Sequence, residues 1–148
     1  MGFHGMTTLT AGGERAWVGL ILASRAALSR VEAALKEAGL PQLVWYDVLL
    51  ELAREGEGRL RNKDLAGRML LEKYNLSRLI DRMAAEGVVE RVHDASDARG
   101  AAIQITRKGR ELREMMWPVY RDAVAASFAS RFQEEELKAL SALLRRVL

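Results

Sequence analysis

Lys73, Tyr74, Asn75, Ser77 and Arg78 stand within six consecutive positions, and their side chains suit contact with a nucleic acid. An asparagine amide matches the edge of adenine, and an arginine fork donates two hydrogen bonds to guanine. Lysine, tyrosine and serine suit phosphate oxygens. The surrounding charge agrees. Positions 59–110 hold twelve Lys/Arg against seven Asp/Glu, a net +5, while the rest of the chain is −2 within a total of +3. A segregated basic block is the footprint of a polyanion binder, although a solvated Arg-rich face looks the same by charge alone. Catalytic chemistry has no comparable constellation. The two histidines, His4 and His93, are far apart, there is no cysteine, and no G-x-S-x-G, phosphate loop or H-E-x-x-H occurs. No metal or other cofactor is expected.

The elements that must position these residues are mostly helical. The 148 residues are 49% hydrophobic and 29% charged, enough apolar content for one domain with a core. Trp17, Ile21, Ser24, Leu28, Val31 and Leu35 follow a 4-3-4-3-4 spacing on one face of a long helix that Gly39 and Pro41 end. Trp45, Val48, Leu49 and Leu52 turn inward on a second helix, which stops at Gly56-Glu57-Gly58. A brief helix is expected over 64–70, with Asn62 the better N-cap chemically and Asp64 suiting the dipole. Another is expected over 72–86, with Leu76, Leu79, Ile80 and Met83 inward and Gly87 closing it. Alternation over 101–105, after an apolar-rich run at 88–93, predicts a hairpin with a polar tip at 94–100. Thr106 caps a helix running to about position 130 and bent by Pro118. A last helix carries Leu137, Leu140, Leu144 and Val147. The longest apolar run, 16–23, is far short of the ~20 residues that span a bilayer, so no membrane contact and a cytoplasmic location are expected.

Two short helices joined by a turn and followed by a hairpin read as a winged helix-turn-helix. The second short helix fits the major groove, and the hairpin tip reaches the adjoining minor groove or backbone. The expected fold is mainly α with a small β-hairpin.

The segments LRNKDLA (60–66), LSRLIDRM (76–83) and EGVVER (86–91) resemble the MarR-type regulators, named for multiple antibiotic resistance. Asp97 and Arg99 match that family's D-x-R wing, and ITRKG (105–109) matches the LT-x-x-G that follows it. The resemblance is strong over about 60–110, and the flanking helices fit in order and length. It implies a homodimeric winged-helix transcriptional regulator, usually a repressor, acting on a palindromic double-stranded operator. The lobe at about 42–110 would bind DNA, and the N- and C-terminal helices at about 14–40 and 110–148 would dimerise. The apolar seams in those helices are what such an interface needs, and each can also serve the intramolecular core.

The resemblance makes 72–86 the recognition helix, with Lys73, Tyr74, Asn75, Ser77 and Arg78 as its DNA contacts. Glu72 departs from the serine usual at its N-cap, so the start of the helix could be shifted. Arg99 would enter the minor groove, drawn by its negative potential, while Asp97 organises the tip. Arg107, Lys108 and Arg110 suit phosphates or a solvated first turn. Family members respond to small aromatic or anionic effectors, for which Trp17, Trp45, Tyr46 and Trp117 are candidate pocket residues, although aromatics at helical spacing also form cores. The alternative function is a winged-helix module that binds protein without sequence-specific DNA binding.

Overall fold

The computed structural model describes residues 7–70, 75–93 and 100–148. Helix α1 (Ala11–Glu37) begins where the Thr10 hydroxyl accepts the Gly13 N–H at 3.0 Å, and it stops ahead of Gly39 and Pro41. Helix α2 (Leu43–Arg54) has no cap from its own N-cap side chain. Glu32, on α1, supplies one instead: its carboxylate accepts the Leu43 N–H at 3.0 Å and fixes the corner between the two helices.

The chain then forms strand β1 (Arg59–Arg61), helix α3 (Asn62–Arg68), helix α4 (Leu76–Ala85) and strands β2 (Val89–His93) and β3 (Ala101–Ile105). All strand pairings are antiparallel in the order β1-β3-β2, with Leu60 opposite Ile103 and Arg91 also opposite Ile103 from the other side. The hairpin is therefore part of a three-stranded sheet with β3 at its centre. A three-residue strand is too short to show alternation, but burial makes the reason for β1 plain: Leu60 enters the core while Arg59 and Arg61 face water.

Two helix starts differ from expectation. Arg61 and not Asn62 is the N-cap of α3, because Arg61 is the extended last residue of β1 and the helix turns directly out of the strand. Helix α4 begins at Leu76, because Asn75 is left-handed (φ 57°, ψ 40°) and a right-handed helix cannot pass through it. At the other end of α4 the Val88 N–H reaches the Met83 carbonyl at 3.1 Å, with Gly87 left-handed as the sequence predicts.

Helix α5 (Arg107–Ser127) starts at Thr106, whose hydroxyl accepts the Gly109 N–H at 3.1 Å, and carries Pro118 in its interior. A 3₁₀ turn (Ala129–Arg131) leads to α6 (Glu134–Leu144), where Glu136 reaches back to the Gln133 N–H at 2.9 Å.

Burial divides into two clusters. One fills the lobe between α2, α3, α4 and the sheet, and includes Leu49, Leu65, Ile80, Met83, Val89 and Ile103. The other joins α1, α2 and α5 through Val31, Leu35, Leu43, Tyr46 and Met116. Leu112 packs against both. The predicted seam on α1 splits accordingly. Val31 and Leu35 are core, whereas Trp17 is 62% exposed and Leu28 is also exposed. Leu143, Leu144 and Val147 near the C-terminus are exposed as well. No helix among the described residues is long and apolar enough to cross a membrane.

Candidate nucleic-acid interface

Helix α4 has one apolar face and one polar face. Leu79, Ile80 and Met83 are buried against the lobe core, and Ser77, Arg78, Asp81 and Arg82 face water. Arg78 and Arg82 are one turn apart on that polar face, and among the described residues neither has an ion-pair partner. Asp81 lies between them in sequence and is engaged by Arg91 of β2. The same guanidinium donates to the Ser77 carbonyl at 3.1 Å and lies 3.5 Å from its hydroxyl. Arg91 thus fastens the first strand of the wing to the first turns of α4 and offsets the only carboxylate on that helix's polar face. It was not among the residues singled out from the sequence. The signal was faint, since an exposed Arg on a strand meets an Asp ten positions earlier only once the sheet is folded.

Asn75 does not ride on the helix. It precedes α4 as its N-cap residue, exposed, and its side chain makes no capping bond. Asparagine tolerates the left-handed region better than most residues, which accounts for its type without any ligand. Lys73, Tyr74, Asp97 and Arg99 lie outside the described residues.

Around the helix the remaining cations fall into two groups. Arg107 pairs with Glu111 at 3.3 Å and Arg68 pairs with Glu55, whose carboxylate raises the guanidinium's pKa. Lys108 donates to the Glu86 carbonyl at 2.6 Å and so caps the end of α4. These three serve the lobe's own architecture. Arg59 and Lys63 are exposed on the α3–β1 side, Arg59 being steadied by Gln104 at 3.0 Å.

The junction between lobe and α5 is tight. The Thr106 N–H donates to the Val88 carbonyl at 3.1 Å, and the Thr106 hydroxyl donates to the Gly87 carbonyl at 2.6 Å. A Cβ at Gly109 would lie 2.0 Å from the Val88 oxygen, so only glycine lets the backbones approach this closely.

A cavity of about 280 Å³ opens between α1, α2 and the C-terminal half of α5. Tyr46 stacks on Tyr120 with ring centroids 4.6 Å apart, and both rings line it, with Phe128, Asp47 and Leu70. Burial raises the Tyr46 phenol's pKa, against the opposing pull of the nearby Arg113 guanidinium. Of the aromatic residues expected at a pocket, Tyr46 is there. Trp17 is exposed on α1 away from this cavity, and Trp45 is half-buried and borders a separate, more open groove beside the end of α4. Trp117 leans on Tyr120 at 6.0 Å without lining the cavity. Among the described residues no cluster of His, Asp and Glu is arranged to hold a metal ion.

Residues 38–100 match the sequence profile of the MarR family. The transcriptional repressor YetL of Bacillus subtilis is 28% identical over 105 residues, which is 69% of this chain. The aligned stretch spans 63% of YetL, less than two thirds of its length. Among solved structures, AbsC, a MarR family transcriptional regulator from Streptomyces coelicolor, is 27% identical with a TM-score of 0.85, covering 96% of this chain and 95% of AbsC. Sco3205 from the same organism, a MarR family regulator solved in complex with DNA, is 28% identical with a TM-score of 0.86, covering 95% of this chain and 88% of Sco3205. Helix order, the sheet-backed wing and the sequence match over the lobe agree, and the chain belongs to the MarR family of winged-helix proteins.

Proposed function

We propose that the chain is a homodimeric, sequence-specific double-stranded DNA-binding regulator of transcription, acting as a repressor in the cytoplasm and released by a small aromatic ligand. The observation that carries this reading is the polar face of α4, where Arg78 and Arg82 stand exposed without ion-pair partners among the described residues while Arg91 offsets Asp81. A helix presented this way by a rigid lobe suits the major groove, with Arg78 reading guanine and Ser77 and Arg82 near the backbone. Lys73, Tyr74 and Asn75 would extend the contact at the start of the helix, and Arg99 would extend it into the minor groove, with Asp97 organising the wing tip. Sco3205, so similar over most of its length, was solved with DNA, which supports the same use here.

A second copy is the natural cover for the apolar side chains that α1 and α6 leave in water, Trp17, Leu22 and Leu144 among them. Two lobes related by a two-fold axis require a palindromic site. Sequence selection from randomised duplexes, followed by affinity against salt for the winning and a scrambled duplex, tests the reading. The expected result is a palindromic winner, a steep negative salt slope and a preference of ~10³-fold or more over the scrambled control. Weak binding without preference would refute it and favour a protein-binding winged helix.

A further inference from the structure

The cavity between α1, α2 and α5, at about 280 Å³, is at the small end of ligand sites and holds one ring with a short substituent. Its walls are chemically one-sided. Tyr46 and Tyr120 stack along it and Phe128 borders it. The Ser127 hydroxyl is committed to the Ala123 carbonyl at 2.6 Å. Among the described residues, Asp47 is the one charged side chain of the lining, and it is only 5% exposed. Aromatic faces present negative charge to whatever lies over them, and so does a carboxylate. An anion entering here meets repulsion from both, while a cation is attracted by both and carries the counter-charge a buried carboxylate favours.

We propose that this cavity takes a small organic cation, an amine or quaternary ammonium carrying an apolar ring or chain, with Asp47 as its counter-charge. The proposal rests on the ligand-controlled reading above and gives that ligand a chemical class, in place of the anionic effectors expected from the family resemblance. It also supplies a route. The Asp47 Oδ2 accepts the Leu70 N–H at 2.9 Å, and Leu70 itself lines the cavity six residues before α4 begins. A cation that draws the carboxylate toward itself weakens the bond that holds the chain leading into α4. DNA binding and cation binding then oppose one another, each weakening the other by the same factor.

Isothermal titration calorimetry on the full chain at pH 7 tests this with three near-isosteric probes: 2-phenylethylamine, 2-phenylethanol and 3-phenylpropanoate. The amine is expected to bind wild type about tenfold or more tighter than the acid. Asp47→Asn should erase that preference and leave the alcohol unchanged. An equal or reversed ranking overturns the proposal, as does absence of binding by all three up to about 10 mM. The ranking is read on wild type, so it stands even if Asp47→Asn does not fold. Ala27→Phe, which projects a ring into the cavity from α1, should abolish amine binding; unchanged binding would put the amine elsewhere and overturn the site. Hydrogen exchange at the Leu70 amide should quicken in the amine complex, and unchanged protection would overturn the route. An amine that passes these tests but leaves DNA affinity unchanged would refute ligand-controlled DNA binding while the cation site stands.

Discussion

Replacing Arg91 with alanine should separate the stability of the lobe from its affinity for DNA. The Arg91 and Asp81 side chains are 36% and 63% exposed, so their ion pair is screened and contributes about 0.2–1 kcal/mol. The 3.1 Å bond to the Ser77 carbonyl adds about 1 kcal/mol, for a total loss of roughly 1–2 kcal/mol, or a few degrees in Tm. The effect on DNA has a different origin. Without Arg91, the Asp81 carboxylate is left uncompensated on the face that carries Arg78 and Arg82. At about 8 Å in water a like charge costs about 0.5 kcal/mol per phosphate, so two or three phosphates give about 1–1.5 kcal/mol, or five- to tenfold in Kd. Fluorescence anisotropy with the selected duplex reads the second quantity and thermal melting the first. Adding Asp81→Asn to Arg91→Ala should restore DNA affinity but not the melting temperature. Two results would refute the reasoning: Arg91→Ala binding DNA as wild type does, or the double variant binding no better than the single one.

Other perturbations follow from the same geometry. Arg78→Ala should cost about 1–3 kcal/mol of DNA affinity and relax selection at one position of the site, measured by repeating the duplex selection; equal losses on cognate and scrambled DNA would contradict a base-reading role. Asn75→Ala should destabilise the protein by about 1 kcal/mol through left-handed strain, and Asn75→Gly should recover that loss, both read by urea denaturation. Gly109→Ala should destabilise by about 3 kcal/mol or more, because its Cβ would overlap the Val88 carbonyl at 2.0 Å; a wild-type urea midpoint would contradict the close approach. The Tyr46 phenol has a raised pKa in the folded chain, so the stability it contributes is fully present below its ordinary value of 10.0 and is lost as pH rises through the folded value. Between about pH 10 and 12 the urea midpoint of wild type should therefore fall relative to Tyr46→Phe.

Sequence made the long-period features legible and the contact-dependent ones obscure. The amphipathic face of α4 was readable because Leu79, Ile80 and Met83 recur at helical spacing and are buried as that spacing demands. Gly87 and Thr106 were readable because each acts within four residues of itself. Strand β1 was missed because three residues carry no period, and its pairing partner Ile103 is over forty positions away. The α4 start shifted because a single left-handed residue overrides an otherwise helical pattern. Within the site, Arg78 was named from its type and position. Arg91 escaped because its role exists only through Asp81 and Ser77 across the fold. The aromatic residues divided for a related reason: spacing places Trp17, Trp45 and Tyr46 on helices, but only the packing of α5 decides that Tyr46 meets Tyr120 over a cavity.

The bonds around Thr106 and Lys108 have a mechanical meaning. They tie the turn after α4 to the first turn of α5 at Gly87, Val88 and Glu86, which leaves no hinge between the recognition helix and the long helix behind it. Helix α5 has 21 residues and so is about 31 Å long. In the proposed dimer it works as a lever arm with the lobe fixed to its end. A tilt of about 5° at its far end swings the lobe by roughly 3 Å, close to the rise of one base pair, and the two copies swing in opposite senses. The spacing between the two recognition helices is then set some 30 Å away from the DNA, roughly an α5 length, near the cavity where Tyr120 and Phe128 sit.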